Sequence, residues 1–157
     1  MGSELQWIGR LMTPESLRVS HDEARAEFLR ATTLGGRIAD AAMRLSEICL
    51  PHFQREEKFV FPILGLLPEL TRDTVRSEMA DFLPLISNID AKHDVLDNQH
   101  RSIHTAIEAL LEASQREKNR EFVDFARKML VHEKVEDEVI YPAVVVVGKF
   151  LQEKFAN

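Results

Sequence analysis

The chain of 157 residues is short of the residues that build several common kinds of site. It has one cysteine, Cys49, which excludes a disulfide framework and any zinc or iron–sulfur centre made from several thiolates. It has one tryptophan, one tyrosine, six glycines and six prolines. The glycines and prolines fall mainly between stretches of regular apolar periodicity. Basic residues are outnumbered, 20 Lys and Arg against 26 Asp and Glu, so the formal net charge is −6. That balance argues against the basic face that a nucleic-acid backbone requires. No apolar run approaches the roughly 20 residues that cross a bilayer. No secretory leader pattern opens the chain, so a cytoplasmic address is expected.

What is present points to helices. Hydrophobic residues make up 45% of the chain, enough for one core, and the length fits a single domain over 1–157 with its core at about 14–142. Trp7, Ile8 and Leu11 belong to a short N-terminal arm. Thr13-Pro14 reads as a helix cap followed by a first-turn proline. The helix it opens runs over 14–33, with Leu17, His21, Ala24, Phe28 and Ala31 facing inward, and Gly35-Gly36 stops it. A second helix over 37–61 carries the stripe Ile38, Ala42, Leu45, Cys49, His52, Glu56 and Val60. Pro51 predicts a kink within it and Pro62 ends it. Pro68 and Pro84 bracket a short helix at about 72–82.

A third helix over 84–115 carries Ile89, His93, Leu96, His100, Ile103, His104, Ile107 and Leu111. A fourth over 119–141 carries Phe122, Phe125, Met129, His132, Val135 and Glu136, and Pro142 closes it. A tail helix follows over 144–155. Four long amphipathic helices with short links predict an all-α, antiparallel, up-down-up-down four-helix bundle, with the short arm before it and the C-terminal helix after it.

The polar residues on those inward stripes are the informative ones. The first helix supplies His21, the second His52 and Glu56, the third His100 and His104, the fourth His132 and Glu136. Residues i and i+4 on an α-helix lie about 40° apart, so each pair points one way. Burying several His and Glu without partners costs several kcal/mol. Bound metal removes that cost, since imidazole and carboxylate suit iron, manganese or zinc. Seven ligands exceed one tetrahedral zinc and suit two ions of higher coordination. His93 shares the third stripe but reads as a non-ligand beside an access route, and Cys49 as a small core residue. Tyr141 reads as a helix-end anchor, with a hydrogen bond near the site as the other role open to it. Phe28, Phe53, Phe59, Ile103, Ile107 and Val135 are candidates for an apolar shell.

Competing motifs are absent. Ferritin-like sites need Glu-x-x-His, and no glutamate stands three residues before a histidine. A zinc protease needs His-Glu-x-x-His, but Glu136 stands where the second histidine would be.

The strings LPHFQREEKFVFP (50–62), HRSIH (100–104) and HEKVEDEVIYP (132–142) resemble the hemerythrin and HHE cation-binding family. The resemblance covers roughly 14–142 and implies a single hemerythrin-like domain. It implies a non-haem centre of two iron ions, with oxo or hydroxo and carboxylate bridges. By the same resemblance His21, His52, His100, His104 and His132 are terminal ligands, and Glu56 and Glu136 are bridges. Asp137 competes with Glu136, because the family also uses His-x-x-x-x-Asp; Glu136 faces the histidine side better, since i+5 lies about 140° from i.

The function the resemblance implies is binding of dioxygen or a related small molecule, in storage or in redox or iron sensing. The alternative is a diiron enzyme that turns over peroxide or nitric oxide. A sensor would act through a protein partner; neither nucleic acid nor membrane is expected as a partner.

Overall fold

A computed structural model describes residues 13–156, apart from the side chain of His93. The arm expected around Trp7, Ile8 and Leu11, and the orientation expected for His93, lie outside the described residues. Among the described residues the chain is helical and has no strand. The helices are α1 (Glu15–Leu34), α2 (Gly36–Arg55), α3 (Phe61–Leu64), α4 (Leu67–Leu70), α5 (Leu83–Ala91), α6 (His93–Arg116), α7 (Arg120–Val135) and α8 (Tyr141–Phe155). No helix among the described residues is long and apolar enough to cross a membrane.

The chain forms two compact units. One comprises Val19–Phe53 and Asp94–Glu136, so it takes most of α1 and α2, nearly all of α6, and α7. A single apolar core draws on all four of these helices, with Phe28, Ile38, Leu45, Phe53, Ile107, Phe122 and Met129 among its members. Burying a side chain of this size contributes about 1.5–3 kcal/mol. The buried positions 103, 107, 110 and 114 on α6 repeat every three or four residues, as one face of a helix requires.

Short links join these helices. Gly35, which links α1 to α2, and Gly36, which opens α2, have φ of 69° and 67°, a conformation that side-chain-bearing residues adopt at a cost. The Arg37 N–H at the start of α2 donates to Glu117 Oε1 at 2.9 Å, so a carboxylate from beyond α6 caps α2. Asn119 opens α7, its side chain accepting from the Phe122 N–H at 3.2 Å.

The other unit comprises 13–18, Gln54–His93 and 137–156 among the described residues. Its buried side chains include Phe61, Ile63, Leu66, Met79, Ile86, Val144 and Leu151. Here α5 and α8 meet at Gly148, where an added Cβ would sit 2.7 Å from Ile86 Cγ2.

Three expectations change. The helix expected over 72–82 is a 3₁₀ segment, Ser77–Phe82, preceded by extended backbone at Arg76 (φ −101°, ψ 150°). The helix expected over 84–115 is two helices. Lys92 closes α5 by donating to the Ile89 carbonyl at 3.1 Å, a tightened three-residue turn. The break lets α5 and α6 turn their apolar faces to different units, since the division falls between His93 and Asp94.

The third change is at Pro62 and Pro142, which end nothing. Each rod widens into a π turn, Glu56–Val60 or Glu136–Ile140, and then resumes as α3 or α8. The Phe61 N–H donates to the Glu56 carbonyl five residues back. A proline inside a regular α-helix clashes with the carbonyl four residues earlier. The π turn directly before the proline supplies the extra residue that relieves the clash. Pro51, also expected to disturb its helix, lies on the exposed side of α2, which runs on to Arg55.

Candidate metal centre

The first unit carries its polar cluster around one carboxylate. Glu136 follows α7 directly, and its side chain is fully buried. Four imidazoles from α1, α2, α6 and α7 present Nε2 to it. Its Oε1 lies 3.8 Å from His21 and 2.6 Å from His132. Its Oε2 lies 3.5 Å from His52 and 3.6 Å from His100. The two oxygens therefore face different histidine pairs. His52, His100 and Glu136 form one group whose ligand atoms lie within 4.8 Å of one another, and His21, His132 and Glu136 form a second.

Neighbouring rings hold the imidazoles in place. His21 stacks on Phe53, ring centroids 3.9 Å apart and planes 15° apart. His52 meets His100 edge to face at 4.9 Å. The Ser20 hydroxyl and His132 Nδ1 are hydrogen-bonded at 3.0 Å.

The electrostatics favour a cation. Burial alone would push the Glu136 carboxyl up; the imidazoles of His132, His21 and His52 outweigh it and hold the group well below the usual carboxylate range. Yet both Glu136 oxygens and His132 Nε2 are buried without a hydrogen bond, although His132 Nε2 lies 2.6 Å from Oε1. Two ligands each about 2.1 Å from one ion stand roughly 3.0–4.2 Å apart, depending on their angle. Three of the four His–Glu136 separations fall in that range; the His132 contact would lengthen. This buried His/Glu cluster could hold metal.

Glu56, expected as a second ligand carboxylate, lies one helical turn beyond His52 and is buried. It belongs to the other unit, where the Tyr141 hydroxyl donates to its Oε1 at 2.9 Å. Of the two roles open to Tyr141, a helix-end anchor and a hydrogen bond near the site, the second is seen: it serves a candidate ligand. Asp137, the rival to Glu136, is exposed.

His104 departs from expectation. Its side chain is 54% exposed and lies 3.4 Å from Glu108, one turn on along α6. The structure does not bring it to the cluster. The buried row on α6 runs through His100, Ile103, Ile107 and Leu110, and His104 sits on its flank. Of the expected apolar shell, Phe28, Phe53, Ile103 and Ile107 are buried, Phe59 is half-buried and Val135 is exposed. Val135 stands one residue from Glu136, about 100° around the helix, hence outside.

Sequence reasoning missed Ser20, the Phe53 stack and the identity of the Tyr141 partner, Glu56. The signals for the first two were adjacency to His21 and adjacency to His52.

A groove of about 390 Å³ on the same unit reaches Ser20 and His132. Ion pairs flank it: Lys128 with Glu23, and Arg30 with Glu121 at 2.6 Å.

Comparison with family models, with curated proteins and with solved structures gives no match.

Proposed function

We propose that the chain is a hemerythrin-like protein that holds two non-haem iron ions and binds dioxygen or a related small molecule, for storage or for redox or iron sensing. The observation that carries this reading is Glu136, a fully buried carboxylate whose two oxygens face separate histidine pairs. A carboxylate so placed has the form of a bridge between two ions. The proposed ligands are His21 and His132 on one side of Glu136 and His52 and His100 on the other, with Glu56 as a further carboxylate. The sequence resemblance over 14–142 favours iron among the metals this donor set accepts. The single-residue link at Gly35 and the short 117–119 link favour the antiparallel four-helix bundle that the family implies.

Iron held by these residues would supply redox chemistry. The chain's residues have their own part. Phe53 stacks on His21 and holds its ring, and Ile103 and Ile107 belong to the apolar core that the same helices share. The depressed Glu136 carboxyl stays ionised as a ligand must.

One observation favours the second reading, an enzyme acting on peroxide or nitric oxide. His132 borders an open groove flanked by ion pairs, and an open approach suits turnover better than a sealed pocket does.

The test is elemental analysis after anaerobic Fe(II) reconstitution, with a visible spectrum before and after air. About two irons per chain and a new visible band support the proposal. A band that reverses on degassing selects binding. Irreversible bleaching, with consumption of added peroxide or nitric oxide, selects the enzyme. Absence of bound metal overturns both.

A further inference from the structure

We propose that Ser20 is a positioning residue of the metal centre. Its hydroxyl fixes the His132 ring so that Nδ1 carries the proton and Nε2 turns its lone pair toward the Glu136 side. The inference rests on reading the His/Glu cluster as a metal centre.

The geometry is specific. His132 has two ring nitrogens with different surroundings: Nδ1 lies 3.0 Å from Ser20 Oγ, and Nε2 lies 2.6 Å from Glu136 Oε1. A metal-ligating imidazole must be neutral, with its proton on the other nitrogen. Ser20 Oγ stands where that proton needs an acceptor. Ser20 and His21 are consecutive on α1, so one turn of helix delivers a ligand and the restraint on a ligand from α7. About 100° separates the two directions, enough for His21 to face the cluster while Ser20 faces α7.

His132 is also the ring with room to swing. Its side chain is 13% exposed, against 0% for His21, 1% for His52 and 8% for His100. Ser20 and His132 both line the groove, so the hydroxyl restrains the ring on its solvent side. A hydroxyl adds no charge, so the restraint acts through orientation and tautomer rather than through the field at the carboxylate. Holding the ring in place should act chiefly on metal release.

The test uses the full chain with Zn(II) as the probe, since zinc permits NMR of the imidazoles. In the loaded wild type, His132 should show a protonated Nδ1 and a bare Nε2. Ser20→Ala should weaken Zn(II) binding by about 10- to 100-fold, as loss of such a partner typically does. It should speed release to a chelator by a similar factor, with the helical circular dichroism unchanged. Ser20→Thr keeps the hydroxyl and should restore most of the affinity.

Equal affinity and release rate in Ser20→Ala and wild type would overturn the positioning role while leaving the metal centre intact. The opposite tautomer in the loaded wild type would overturn it too. A wild type that takes up neither Zn(II) nor Fe(II) overturns the metal centre, and the role of Ser20 with it.

Discussion

Two stretches of the chain carry one pattern. His52 is followed at +4 by Glu56, at +9 by Phe61 and at +10 by Pro62; His132 is followed at the same steps by Glu136, Tyr141 and Pro142. Both widen into a π turn that begins at the glutamate. Such turns gather at functional sites, where they re-aim side chains. The two glutamates nonetheless have different company. Glu136 has imidazoles on both oxygens, whereas Glu56 Oε1 accepts from a phenol. Identical local spacing thus produces unequal carboxylates, and the inequality comes from what other helices bring to each.

The largest effect expected from breaking that comparison is at Glu136. Glu136→Gln keeps the size and removes one anionic oxygen, so neither histidine pair retains a full carboxylate ligand. On the proposed two-iron reading, bound iron should fall from about two per chain to well below one, measured by elemental analysis after reconstitution. Glu56→Gln should lose less. Equal losses would mean that the two carboxylates serve alike, and would remove Glu136 from its central role.

The π turns themselves come next. Deleting Val139 removes the residue that widens the second rod. Pro142 would then sit inside regular α-helix, against the carbonyl four residues before it. The cost should be about 3 kcal/mol or more, read from the shift of the urea midpoint at constant slope. A deletion costing no more than an exposed helical substitution would show that the π turn does not relieve the proline.

A smaller effect separates Tyr141 from Phe61, its counterpart in the pattern. Tyr141→Phe gives both stretches a phenylalanine at this step and removes the phenol hydrogen bond to Glu56 Oε1. Loss of a donor to a buried carboxylate costs about 1–3 kcal/mol. The metal-free protein should lose that much in a urea melt. An unchanged midpoint would mean that the phenol contributes packing alone.

Much of this arrangement was legible in the sequence because it rests on helical periodicity. The stripe Ile38, Ala42, Leu45, Cys49, His52 follows from the 3.6-residue repeat, and all five are buried. His21, His100, His132 and Glu136 were found in the same way, as polar residues breaking apolar rows. What escaped depends on hydrogen-bond register or on partners distant in sequence. Pro62 and Pro142 read as stops, because nothing local says that five-residue bonds precede them. The Lys92 break follows from a change of packing partner between α5 and α6, which their shared periodicity hides. Ser20 and Tyr141 acquire meaning only once His132, 112 residues from Ser20, and Glu56, 85 residues from Tyr141, are beside them.

The smallest expected effect is at His104, and its smallness carries information. His100 and His104 stand one turn apart on α6, and a 40° offset is all that separates them. On a helix whose buried row runs through 100, 103, 107 and 110, that offset crosses the edge of the row. His100 falls inside and faces Glu136; His104 falls outside and faces Glu108, with both side chains more than half exposed. An exposed pair of this kind contributes between about 0 and 1 kcal/mol. His104→Ala should therefore leave iron content at the wild-type value and shift the unfolding free energy by no more than about 0.5 kcal/mol. His100→Ala, measured beside it, should lose metal. If His104→Ala lost metal as His100→Ala does, α6 would have to rotate on binding, and the His-x-x-x-His pair would act as one ligand unit.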